Sequence, residues 1–150
     1  MLVAAPALLA MTEYVTCWES RRKETVGYMA HTQTLQSKSL DSPDETRSFE
    51  KGKLQIANID EVTAGRVTLE PGWQWSECVK PLAETDSCEV QHTGYVVAGR
   101  MKVVMDDGSE QEIGSGDMYV IRPGHDAWIV GDETFVGVDF SNDIERFAKE

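Results

Sequence analysis

From residue 54 onward, short runs rich in apolar and β-favouring residues recur along the chain, bounded by polar turn formers. The runs fall at 54–58, 62–69, 73–79, 94–98, 101–105, 111–113, 118–121, 127–130 and 135–140. Turn formers separate them: Glu70-Pro71-Gly72, Ala98-Gly99-Arg100, Asp106-Asp107-Gly108-Ser109, Gly114-Ser115-Gly116-Asp117, Pro123-Gly124 and Gly131-Asp132. Many short β-rich segments at this spacing predict an all-β domain, either a sandwich or a barrel. Asp106-Asp107-Gly108 is the clearest hairpin, because glycine takes the positive φ that a tight turn needs. After the last run, Ser141 and Asn142 are cap formers, and Ile144 and Phe147 stand three apart. They predict a short C-terminal helix over one end or edge of the sheet.

The chain divides unevenly ahead of this pattern. Residues 1–28 hold three acids and three bases, so the whole net charge of -12 arises after them. That break marks them as an N-terminal extension, dispensable or preceding a true start at Met29. Residues 29–53 are polar with little periodicity and read as an arm or an outer strand, leaving 54–150 for the barrel.

At 150 residues there is room for one domain with a core large enough to need no disulfide or metal for folding. No apolar run approaches the roughly 18–20 residues of a membrane span, so a membrane is excluded as a partner. The acidity creates a field that repels phosphate backbones, which excludes nucleic acid. Cys17, Cys78 and Cys88 are an odd count without regular spacing, which fits a reducing compartment better than a disulfide framework. The apolar opening lacks the basic segment that leads a secretory signal. The expected location is the cytoplasm.

Two segments carry a family resemblance. The first runs Pro71-Gly72-Trp73-Gln74-Trp75-Ser76-Glu77-Cys78-Val79-Lys80 and continues His92-Thr93-Gly94-Tyr95-Val96-Val97-Ala98-Gly99. The second runs Gly116-Asp117-Met118-Tyr119-Val120-Ile121-Arg122-Pro123-Gly124-His125. In order and spacing they resemble the paired motifs of the cupin superfamily. The resemblance implies an all-β double-stranded β-helix, a jelly-roll barrel, commonly a homodimer, with its site in the barrel interior. Free sheet edges and a polar arm agree with strand exchange between two copies.

The resemblance also implies a metal held by two histidines and an acid from the first motif and a histidine from the second. The matching positions here are Cys78, Lys80, His92 and Ala127. Lysine's ammonium has no lone pair and alanine no donor atom, so that site is broken. His125, two residues before Ala127, shares a strand face with it. Cys78, His92 and His125 then form a rearranged set of one thiolate and two imidazoles, suited to a divalent ion, with Zn, Fe, Mn and Ni not distinguished. The opposing reading makes all three ordinary buried residues. Trp73, Trp75, Lys80, Tyr95 and Trp128 are the candidate pocket lining, suited to a ring, a sugar or a cation, and an inward Lys80 suits a carboxylate. Glu77, Glu84, Asp86 and Arg122 are further polar residues near the motifs.

Besides a structural or dimerisation piece with no pocket function, two functions follow. One is a binding module that captures a small polar molecule in the barrel, with or without a metal. The other is a metal-dependent enzyme of oxygenase, isomerase or hydrolase type using Cys78, His92 and His125. The fold cannot choose between them, since this barrel hosts many activities.

Overall fold

The computed structural model describes residues 35–148. Residues 1–28, read above as an extension, lie outside them. Among the described residues, nine strands build two antiparallel sheets: β1 (Glu45–Phe49), β2 (Gly52–Ile59), β3 (Val62–Leu69), β4 (His92–Ala98), β5 (Arg100–Met105), β6 (Glu110–Gly114), β7 (Met118–Ile121), β8 (His125–Ile129) and β9 (Phe135–Asp139). The larger sheet has the order β1-β2-β3-β9-β4-β7 and the smaller β6-β5-β8. The chain crosses between sheets after β4, β6, β7 and β8, which is the winding of a double-stranded β-helix. Apolar alternation explains the layers, since Leu54, Ile56, Leu69, Val96, Val103 and Phe135 all point between the sheets and are at most 5% exposed.

Glycines appear where side chains would collide. Gly99 turns the chain from the larger sheet to the smaller with φ at 75°, and a Cβ there would meet the Phe135 Cα at 2.7 Å. Gly108 closes the expected β5–β6 hairpin with φ at 84°, its N–H donating to the Met105 carbonyl at 2.9 Å.

The run at 73–79, expected as a strand, is instead helical. It forms α1 (Trp75–Cys78) and then α2 (Lys80–Ala83). Trp75, Cys78 and Val79 are spaced three and four apart and all buried, a helical period that a reading for alternation passes over. Pro81, within the first two positions of α2, has no N–H for a sheet ladder but suits a helix start. Asp126 on β8 anchors the entry, accepting from the Ser76 N–H and from Gln74 Nε2, both at 3.1 Å. Asp126→Ala is therefore expected to cost about 1–3 kcal/mol, read as a lowered midpoint in thermal unfolding with the metal content unchanged.

The C-terminal helix is a 3₁₀ turn, Asn142–Arg146. It covers one end of the barrel, as expected, by burying Ile144 and Phe147. Arg47 on edge strand β1 donates to the carbonyls of Glu145 and Phe147 at 2.8 and 2.6 Å, satisfying acceptors that a short turn leaves open. Among the described residues, no helix is long and apolar enough to cross a membrane.

Candidate metal centre

Strand alternation decides what enters the barrel. On β8, His125, Ala127 and Ile129 face inward and are buried, while Asp126 and Trp128 take the other face. On β4, His92, Gly94 and Val96 share the inner face and Tyr95 points out, 43% exposed beside Val97, Met118 and Val120. Gly94 is needed there because a Cβ would stand 2.3 Å from the Val138 carbonyl oxygen and 2.5 Å from Tyr119 Oη. On β9, Phe135, Gly137 and Asp139 face inward, which places a carboxylate only 1% exposed in the core.

The two histidines meet here, with ring centroids 5.5 Å apart at an interplanar angle of 73°. The thiol that joins them is Cys88, not Cys78. Ligand atoms of Cys88, His92 and His125 all lie within 4.8 Å of one another, and Cys88 Sγ is 3.7 Å from His92 Nε2. Cys88 reaches the group because its backbone forms an isolated bridge to His125, N–H to carbonyl at 2.8 Å. Cys78, expected to point inward from a strand, lies at the end of α1, where the alternation that would have aimed it does not hold. It is a buried, unpaired cysteine in the apolar core.

Both imidazoles are held from behind. His92 Nδ1–H donates to Asp139 Oδ2 at 2.7 Å, and Asp139 Oδ1 accepts from the Ser141 N–H at 2.7 Å. His125 Nδ1–H donates to the Arg122 carbonyl at 2.7 Å, so Nε2 is the ring nitrogen left to ligate. A ring nitrogen tied to a carboxylate or carbonyl is the usual support for a metal-binding histidine. Phe147 packs edge-on against His92, centroids 5.4 Å apart.

The electrostatics favour an ionised thiol. Burial by itself pushes the Cys88 thiol up, but hydrogen bonds and charge from His125 and His92 outweigh it and bring it down to about 6. Burial likewise opposes an imidazolium at His92, yet the Asp139 hydrogen bond and then the Cys88 thiol raise it to about 9. At neutral pH the metal-free site is thus a thiolate–imidazolium pair backed by a carboxylate. Tyr119, half-buried and next to Asp139, is held protonated for both reasons.

His92, His125, Asp139 and Tyr119 form the polar part of a cavity of about 40 Å³, room for the centres of about three water-sized atoms. Of the expected pocket residues, Trp73 and Trp75 line it; the other three do not. Lys80 begins α2 at the surface, its Nζ donating to the Asp86 carbonyl at 3.1 Å and pairing with that carboxylate at 3.4 Å. Tyr95 is one residue out of phase with the inner face, and Trp128 borders an outer groove with Gly72 and Gln74. The space beside the histidines is too small for the ring or sugar that the indoles suggested.

Cys88 and Asp139 escaped sequence reading for different reasons. Asp139 had a signal, since it continues the Phe135-Val136-Gly137-Val138 alternation on the buried parity. Cys88 sits in a polar loop where only its place four residues before His92 pointed to it.

The donors present fit a metal ion. One thiolate and two imidazoles, two of them supported from behind, suit a borderline ion such as Zn²⁺ and leave one position open. They differ from the histidine-and-carboxylate set implied by the cupin motifs, so the identity of that family's metal does not carry over.

No protein-family signature and no curated protein matches the sequence. Solved structures do match in fold. A protein of unknown function from Rhizobium leguminosarum superposes with a TM-score of 0.53 at 17% identity, covering 72% of this chain and 96% of its own. A Klebsiella pneumoniae protein with a double-stranded β-helix domain is also similar, at a TM-score of 0.48 and 19% identity over 71% of this chain and 88% of its own. A cupin-like protein from Thermotoga maritima gives 0.47 and 18% over 69% and 80%. The strand order and the crossovers between the sheets give this chain a double-stranded β-helix fold.

Proposed function

We propose that this cupin-fold chain is a metal-centred binding protein: Cys88, His92 and His125 hold one divalent ion, zinc by donor chemistry, and the adjoining cavity receives a small molecule. The observation that carries this reading is the convergence of three metal-ligating atoms within 4.8 Å, delivered by a loop and two strands of opposite sheets. Such a meeting of a thiol and two imidazoles inside an apolar barrel is hard to account for by packing alone, because each buried polar group must find a partner.

When bound, the ion would act as a Lewis acid toward whatever occupies its open position. The chain does the rest. Asp139 and the Arg122 carbonyl fix the two ring orientations, and the low thiol pKa makes Cys88 available as thiolate near neutral pH. To hold the ion His92 would give up its second proton, so affinity would fall as the solution is acidified. Phe147 and the C-terminal turn keep bulk water from this end of the barrel.

An enzymatic use is a second reading, favoured by the three-ligand set, since catalytic zinc sites retain an open position where structural ones are closed. Both readings share a first test. Protein supplied with zinc during growth and purified without chelator is expected to carry one equivalent by elemental analysis. His125→Ala should lose it and Cys78→Ala should keep it. Retention by His125→Ala, or an empty wild-type protein that also ignores added zinc, would remove the metal from both readings.

A further inference from the structure

Besides two indoles, four polar side chains line the cavity beside the histidines: His92, His125, Asp139 and Tyr119. Three of them are engaged. Nδ1 of His92 bonds to Asp139 and Nδ1 of His125 to the Arg122 carbonyl, which leaves each Nε2 for the metal. Asp139 also accepts from the Ser141 N–H. The Tyr119 hydroxyl, by contrast, has no hydrogen-bond partner among the described residues. Among those residues the Trp73 indole nitrogen is the one unpartnered side-chain polar atom that water cannot touch, so the phenolic oxygen is open to a water-sized occupant.

Two glycines make room for this hydroxyl. Tyr119 stands on edge strand β7, on the inner face with Ile121 and opposite Gly94. A Cβ on Gly94 would lie 2.5 Å from Tyr119 Oη, and a Cβ on Gly137 would lie 3.3 Å from it. A side chain at the first position would displace the hydroxyl, and one at the second would crowd it. Both glycines are buried on the inner face, so the phenol reaches across β4 to β9, the strand that carries Asp139. Its tip lies beside Phe135 on the cavity side. Phenylalanine would fill the same part of the barrel without a hydroxyl to satisfy.

Chemistry and size narrow the occupant. A metal ligand binds through lone pairs, so it presents acceptors to its surroundings, and what complements it is a donor. A phenol is un-ionised at neutral pH and can donate. A volume of about 40 Å³, at roughly 10–15 Å³ for each water-sized atom, admits about three heavy atoms. Resting on the metal reading above, we propose that Tyr119 is the ligand-selecting residue of this site: its O–H donates a hydrogen bond to a carboxylate-type ligand of the size of formate that also ligates the metal. The phenol selects for an acceptor atom, and the closeness of the walls selects for size.

Cobalt-loaded protein titrated with formate, benzoate and iodide tests the proposal, following cobalt absorption, with cobalt content measured on the same samples. Formate should shift the absorption and saturate, while benzoate leaves it unchanged. Tyr119→Phe, which keeps the ring and removes the donor, should retain its cobalt and bind formate about tenfold more weakly. Iodide, which ligates cobalt but accepts hydrogen bonds poorly, should lose little affinity in the same variant. A loaded protein that ignores formate or binds benzoate equally well would overturn the proposal and leave the metal reading intact. So would a Tyr119→Phe protein with unchanged formate affinity, or one that loses iodide as much as formate. A protein that takes up no cobalt would overturn the metal reading and the role of Tyr119 with it. If Tyr119→Phe does not fold, the ultraviolet tyrosine absorption of the unaltered, zinc-loaded protein decides the matter. Formate should move it to longer wavelength, and formate that binds without that shift would refute the donor role.

Discussion

In metal-stripped protein, the ultraviolet absorbance of the Cys88 thiolate is expected to titrate with a midpoint of about 6, against about 8.5 for an ordinary thiol. In Cys88→Ala the transition with that midpoint should be absent. Replacing His92 by alanine should move the Cys88 midpoint back upward, because burial then acts with less opposing charge. A Cys88 that ionises near 8.5 in the folded protein would mean that the imidazoles do not reach the thiol, and the metal centre would lose its basis.

The same pair makes a prediction about stability. Cys88, with its pKa depressed on folding, contributes stability present above its unfolded value and lost as pH falls through about 6. His92, with its pKa raised from 6.5 to about 9, contributes stability present below 6.5 and lost as pH rises through about 9. Between about 6.5 and 9 the unfolded pair holds one proton, on sulfur, and the folded pair also holds one, on nitrogen. The two slopes offset, so unfolding free energy should be nearly independent of this pair across that window. In Cys88→Ala the imidazole's half remains, and stability should fall as pH rises through the range of His92. Denaturant midpoints at a series of pH values measure both proteins.

The second large effect is expected at Asp139. Its carboxylate is 1% exposed and joins the imidazole of His92 to the N–H of Ser141 at 2.7 Å on each side. Asp139→Ala strands both donors in the core, at a cost of about 3–5 kcal/mol, enough to remove much of the stability of a domain this size. Asp139→Asn keeps the shape and should fold, but its weaker acceptor leaves His92 poorly fixed and less basic. Zinc affinity should then fall by about 10–100-fold. Competition against a chromophoric chelator reads the affinity, and urea unfolding reads the alanine variant; an Asp139→Asn protein with wild-type zinc affinity would show that the carboxylate does not support the metal ligand.

How far the site could be read in the chain depended on whether local rules govern each residue. His92 and His125 sit on strands with clean alternation, and their inward direction follows from parity. Asp139 obeys the same rule and was legible by it. Tyr95 violates nothing either: three residues from His92 and so of opposite parity, it had to point out, and the pocket assignment overlooked this. Trp73 to Lys80 misled because aromatic residues favour strands in general, whereas here Pro81 and the spacing of Trp75, Cys78 and Val79 turn the segment into two helical turns.

The sequence by itself determined the all-β barrel, its turns, its hairpin and the two histidines, because each is specified by period, by glycine and proline chemistry or by strand parity acting over a few residues. Only the tertiary structure decided which cysteine joins them, since Cys88 lies in a loop with no period of its own and is placed by backbone bonding to β8. It also decided that Asp139 stands behind His92, 47 residues away in the chain, and that the cavity is too small for a sugar. Those are matters of distance between segments, and no local pattern of residues encodes a distance that the packing of two sheets sets.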